Sequence, residues 1–118
     1  MTAINVVTVT IGRNVPATPP EWIAQPLSSL DWTEFQNAVA SALWQTSSTN
    51  GEAWEERHYG TAVWDGVPEE SAKVTLLGAD FTHVVALRQR LETIRGMYAQ
   101  DAIALSVGTS DLIERPKR

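Results

Sequence analysis

The chain contains no cysteine. That absence removes disulfides, zinc–thiolate sites and thiol nucleophiles together, and it fits a protein of the cytoplasm. Long apolar runs are missing as well. Nothing approaches the roughly 18 residues needed to cross a bilayer, so no membrane partner is expected. The opening MTAINVVTVTIGRNV has no basic region ahead of an apolar one, and its alternation reads as a strand and not as a signal peptide. Positive charge is scarce: nine Lys and Arg stand against 14 Asp and Glu, for a formal net charge of −5. Binding to a phosphate backbone draws most of its affinity from Lys and Arg, so nucleic acid is not expected as a partner. The one basic cluster, Arg115-Pro116-Lys117-Arg118, reads as a solvated end. There are only two histidines, His58 and His83, with no spacing that pairs them on one metal, and no metal or cofactor is expected.

What is present is a globular composition, 43% hydrophobic and 19% charged, neither disordered nor membrane-like. At 118 residues the chain is one domain, residues 1–118, with a Pro-rich loop at 14–26 and a charged tail at 114–118. Residues 3–11 are β-branched and alternating, with Val7, Val9 and Ile11 on one face, and form the first strand. Pro16, Pro19, Pro20 and Pro26 bar regular structure from 14–26, where Trp22 and Ile23 supply apolar bulk that pins the loop to the body or, in the alternative, forms a binding edge. A helix follows, with Asp31 as N-cap, Glu34 completing a capping box, and Trp32, Phe35, Val39, Ala42 and Leu43 as its buried stripe. Trp44 falls outside that stripe, as a rim residue or a contact with another chain. The turn formers from Thr46 to Gly51 end the helix.

The second strand spans 54–64. Its first half is polar on both faces, which predicts burial only from Tyr59 on, and Gly60 within it marks a bulge or a close approach. An acidic turn, Asp65-Gly66-Val67-Pro68-Glu69-Glu70, leads to a third strand at 71–77. A second helix is capped by Asp80 or Thr82, with Val84, Leu87, Leu91, Ile94 and Tyr98 on one stripe; Gly96 near its end predicts fraying or close contact. Residues 102–107 form a fourth strand, closed by Gly108, and Leu112 and Ile113 extend an edge. The order β-α-β-β-α-β predicts an α+β, ferredoxin-like fold: a four-stranded antiparallel sheet with two helices on one face. The uncovered face would carry Trp, Tyr and Val, an apolar patch suited to a second subunit or a ligand.

No constellation stands out as catalytic. His58 beside Glu55, Glu56 and Tyr59 offers a general base, against the plainer reading of a surface histidine among solvated charges. Glu69 and Glu70 can meet a cation, but no alternating calcium loop is present. In the plainer alternative Asp65-Gly66 shapes the turn, while one glutamate bonds backbone amides or an arginine. Arg13 after the first strand is a weak anion site without a nucleotide fingerprint. RNA recognition through the sheet needs aromatics on central strands in a basic setting, and the first strand has none.

The succession Thr10-Ile11-Gly12-Arg13, Asp31-Trp32-Thr33-Glu34-Phe35, Trp64-Asp65-Gly66, Glu69-Glu70-Ser71 and Tyr98-Ala99-Gln100-Asp101-Ala102 resembles small uncharacterised proteins of actinobacteriophages. More distantly, it is similar to a family of short bacterial proteins of unknown function with a Trp-Gly turn and an aromatic-Gly-Gln segment. Ala99 stands where that family has the glycine. The resemblance covers about residues 8–107 and implies the fold, with no assigned chemistry. The function expected is that of a non-enzymatic, phage-type accessory protein of the host cytoplasm. It would be a homo-oligomer, a homodimer through its sheet or edge strands, binding a host protein or a small-molecule ligand. Trp54, His58, Trp64, Asp65, Glu69 and Glu70 are the candidate binding residues, with Arg13 as a further candidate. One alternative is a cofactor-independent enzyme of the dimeric α+β barrel type, monooxygenase-like, with His58, Tyr59 and Trp64 lining a pocket between sheet and helices. Another is a sponge for a nucleotide signal, with arginines converging at a subunit interface.

Overall fold

A computed structural model describes residues 2–16, 24–49, 52–114 and 116. Trp22, Ile23, Gly51 and most of the basic tail lie outside these residues.

The first strand, β1 (Thr2–Gly12), alternates as its sequence predicts: Val7, Val9 and Ile11 are fully buried under the helices. β4 (Trp54–Trp64) and β5 (Val67–Leu77) form the long hairpin, and β6 (Ala104–Leu112) closes the sheet. The strand order is β4-β5-β1-β6, antiparallel throughout. With α1 (Ser29–Gln45) and α2 (Val84–Met97), this is the ferredoxin-like α+β arrangement. Two short strands, β2 (Asn14–Val15) and β3 (Gln25–Pro26), pair at the mouth of the proline-rich segment. The ends of that loop are therefore regular, although its sequence forbids a long element.

Phe35, Val39 and Leu43 of α1 join Leu87 of α2 over Val74 and Leu76 of β5, filling the space between helices and sheet with apolar side chains. Both helix starts depart from expectation. α1 is capped by Ser28, whose Oγ accepts from the Asp31 amide at 3.1 Å. Asp31 instead sits within the first turn, where its charge favours the helix dipole. α2 begins after His83 with no side-chain cap. Asp80 is committed elsewhere, since it exchanges backbone bonds with Ser48 and its carboxylate accepts from Asn5 Nδ2 at 3.1 Å. Among the described residues, nothing lies within contact range of a would-be Cβ at Gly96, so no close approach among them explains it.

Three strand expectations also change. Asp65 and Gly66 have φ of 51° and 77°, the two left-handed residues of a type I′ hairpin turn. The turn is thus two residues long, and Glu69 and Glu70 belong to β5, opposite Ala62 and Thr61. The ladder passes Gly60 opposite Ser71 without a bulge, because register on both sides is continuous. β6 runs through Gly108 to Leu112, since β1 offers partners as far as Thr2.

Burial along β4 is the reverse of that expected. Glu55 and Arg57 are half-buried, whereas Tyr59, Val63 and Trp64 are exposed, because β4 is a sheet edge along its whole length. Alternation places Tyr59 and Val63 on the helix side. The uncovered face is accordingly not the expected Trp-Tyr-Val patch. Its centre is polar, with Thr8 paired to Thr75 and Ser106, and Thr10 paired to Lys73. Trp44 is a rim residue whose indole donates to Glu55 Oε1 at 3.0 Å.

Candidate functional site

The type I′ turn projects the tip of the β4–β5 hairpin past the end of β1, whose last partner is Ser71. From that tip Trp64 reaches the segment between α2 and β6, where its Nε1 donates to Asp101 Oδ2 at 3.2 Å. The indole remains half exposed. Between hairpin and segment lies a cleft of about 240 Å³, floored by Thr10 and Gly12 and walled by Trp64, Glu69, Gln100 and Asp101. Asp65, at the turn itself, stands at its rim.

Glu69 shapes the floor. Its carboxylate lies directly over Gly12, in the space a Cβ would take, and its Oε2 accepts from the Asn14 amide at 2.8 Å. Asn14 Nδ2 returns a bond to the Pro68 carbonyl at 3.2 Å. Glu70, pointing to the opposite side of β5, pairs with Arg13. Arg13 Nε donates to the Leu27 carbonyl at 2.8 Å. The two glutamates thus satisfy a backbone amide and an arginine respectively, as the plainer reading of the acidic turn had it, and they lash the hairpin to the chain after β1.

The opposite wall depends on the end of α2. Arg95 is held by Glu92 at 2.6 Å and donates from Nη1 to the Gln100 carbonyl at 2.8 Å. The contact draws the Glu92 carboxyl below its ordinary range and raises the Arg95 guanidinium, in each case through their shared hydrogen bond first. Ala99 then turns the chain with φ of 51°, in the left-handed region, although it is not a glycine. Gln100 is buried by that turn, and Asp101 is aimed at the indole. Tyr98 stacks on Phe35, ring centres 4.7 Å apart and planes at 13°, anchoring the turn to the core. Burial, and then the carboxylates of Glu34 and Asp31, push its phenol above the ordinary value.

Of the residues singled out from sequence, Trp64, Asp65 and Glu69 meet at this cleft. Glu70 and Arg13 are consumed by each other beside it. His58 lies mid-strand on the uncovered face opposite Lys73, well exposed and 3.9 Å from Glu56. Trp54 begins the same strand, ten positions from Trp64, or roughly 33 Å along it. His58, Tyr59 and Trp64 therefore share no pocket. Tyr59 donates to Gln36 on α1 at 2.8 Å, and the space between sheet and helices is filled. Asp101, Gln100 and Asn14 were not singled out as site residues. Only the left-handed turn at Ala99 shows that Asp101 points to the Trp64 indole.

The cleft combines an indole face and apolar walls with three carboxylates, those of Asp65, Glu69 and Asp101. Among the described residues no lysine or arginine lines it. Such a lining attracts a flat apolar group that carries positive charge or hydrogen-bond donors. Among the described residues, no group of three or more His, Asp or Glu is arranged to hold a metal ion.

No family model matches the chain, and no curated protein matches it. Among solved structures, a phage SAM lyase in complex with S-methyl-5′-thioadenosine is similar at 11% identity and a TM-score of 0.47, over 92% of this chain and 90% of its own. The phage SAM lyase in its apo state gives 11% identity and a TM-score of 0.48, over 89% and 79%. CutA1 from Pyrococcus horikoshii gives 20% identity and a TM-score of 0.40, over 94% and 86%. Similarity this remote carries no argument about activity, and the fold assignment rests on the strand order of the chain itself.

Proposed function

We propose that this chain is a non-enzymatic binding module of the phage accessory kind, which takes a small, flat, cation-bearing ligand in the cleft beneath Trp64. The observation that carries this reading is the meeting of a half-exposed indole with three carboxylates around one apolar hollow. A cation over an indole gains about 0.5–2 kcal/mol, more as water is excluded. Nearby carboxylates add Coulomb attraction and disfavour anions by the same measure. The hollow, at about 240 Å³, suits a molecule smaller than most drug-sized ligands. The phage assignment rests on the sequence resemblance alone.

The monooxygenase-like alternative requires a pocket between sheet and helices with His58 inside, and the structure places His58 on the other face of the sheet. The arginines of a nucleotide sponge would have to converge. Within the chain, Arg13, Arg57 and Arg95 are each engaged by a different carboxylate.

Titration with benzamidine, benzamide and benzoate separates charge from shape. Benzamidine should bind best and benzoate not at all, and Trp64→Ala and Asp101→Asn should each weaken benzamidine about tenfold, a loss of about 1.4 kcal/mol. Equal binding of all three probes, or benzamidine binding untouched by both substitutions, contradicts the proposal.

A further inference from the structure

The sheet has two edges, and the sequence treats them differently. On β4 the edge carries Glu55, Glu56, Arg57 and His58, and three side-chain bonds tie it to α1. Arg57 Nη1 donates to Asn37 Oδ1 at 3.0 Å, alongside the Trp44 and Tyr59 bonds already described. Charged side chains on an edge strand oppose pairing with a second chain.

β6 has no such protection. Its nine residues, ALSVGTSDL, contain no proline, no lysine and one ionisable side chain, Asp111, near the end. The strand is in unbroken register with β1 on its inner side, and positions 106–111 are all exposed. Val107, at its middle, is 52% exposed. Among the described residues no strand pairs with its outer side, and an open edge without proline or lysine is a template for another strand.

We infer that β6 pairs antiparallel with β6 of a second copy, about a twofold axis near Val107, joining two four-stranded sheets into one of eight strands. The choice of a second copy follows from self-complementarity. Pairing about Val107 sets Leu105 against Thr109 and Ser106 against Gly108 across the seam, so small and apolar side chains meet. Val107 meets its own copy and loses its exposure. The two Asp111 carboxylates end up eight positions apart along the seam, roughly 26 Å, beyond the reach of significant repulsion in salt. A net charge of −5 makes two copies repel on average, and the nine residues of β6 add a single carboxylate to the seam. Backbone bonds along one strand bury less area than a standard interface, so the dimer should form in the micromolar range and not the nanomolar. Association here and ligand binding at the cleft are separate claims, and each can fail alone.

Sedimentation equilibrium from low micromolar to submillimolar concentration, together with amide hydrogen exchange, tests the inference. Wild type should reach twice the 13.0 kDa chain mass, with β6 amides slowing as concentration rises. Val107→Lys and Thr109→Lys should each weaken the dimer about tenfold or more, while Thr61→Lys on the β4 edge leaves it unchanged. A wild-type chain monomeric throughout overturns the inference, as does a dimer that survives both β6 substitutions or is lost with Thr61→Lys. If one lysine variant fails to fold, the other and the wild-type exchange pattern still decide.

Discussion

Ala99 holds a backbone conformation that an L-residue with a Cβ adopts at a cost, φ of 51°, because the bond from Arg95 to the Gln100 carbonyl and the stacking of Tyr98 on Phe35 fix the chain on either side. Ala99→Gly should relieve that strain, and although glycine gains entropy in the unfolded chain, a net stabilisation of about 1 kcal/mol is expected. Thermal unfolding should show it as a Tm rise of about 4 °C; an unchanged or lower Tm would mean that the turn is not strained. Tyr98 beside it makes a pH-dependent contribution. Its folded pKa is raised, by burial first and the Glu34 and Asp31 carboxylates second, so the unfolded phenol ionises before the folded one. The stability this contributes is complete below the unfolded value near 10 and is lost as pH climbs through the folded value. Urea unfolding from neutral pH to above about 10 should therefore fall more steeply for wild type than for Tyr98→Phe. Parallel curves would contradict the assignment.

The β4–β5 hairpin is where sequence and structure agree most and differ most. Asp65-Gly66 is a type I′ signal legible in the sequence, and the bounds of β4 follow from its flanking turn formers. Helix stripes were legible too, since Trp32, Phe35, Val39, Ala42 and Leu43 are all buried. Less legible was which side of β4 is covered. Position in the sheet decides burial there, and that follows from pairing with β5 alone at an edge. The helix caps misled because Ser28 and Asp31 are both good N-cap residues three positions apart, and only the first supplies the bond. The cleft was half legible: Trp64, Asp65 and Glu69 are neighbours in sequence, whereas Asp101 reaches them across 37 positions through one left-handed turn. At this scale the Glu69 strap over Gly12 is the decisive contact. Gly12→Ala should push that carboxylate off the Asn14 amide, costing about 1 kcal/mol for the lost hydrogen bond, and should reshape the cleft floor. Chemical denaturation checks the stability. If Glu69→Gln combined with Gly12→Ala costs as much as the two changes summed, the strap is not what Gly12 permits.

In the whole molecule, the two ends of the sheet and its two edges divide the work. The core between helices and sheet is filled, the uncovered face is polar at its centre, and the hollow lies at the end where the hairpin passes beyond β1. An acidic chain with three carboxylates lining that hollow favours positively charged ligands over anions at long range as well as in contact. The most direct measurement is an NMR titration with benzamidine, following the backbone amides and the five indole N–H signals. Shifts should concentrate at Gly12, Asn14, Asp101 and the Trp64 indole, with the Trp32, Trp44 and Trp54 indoles unmoved. Shifts centred on His58 and Trp54, or spread evenly over the surface, would contradict the proposed site.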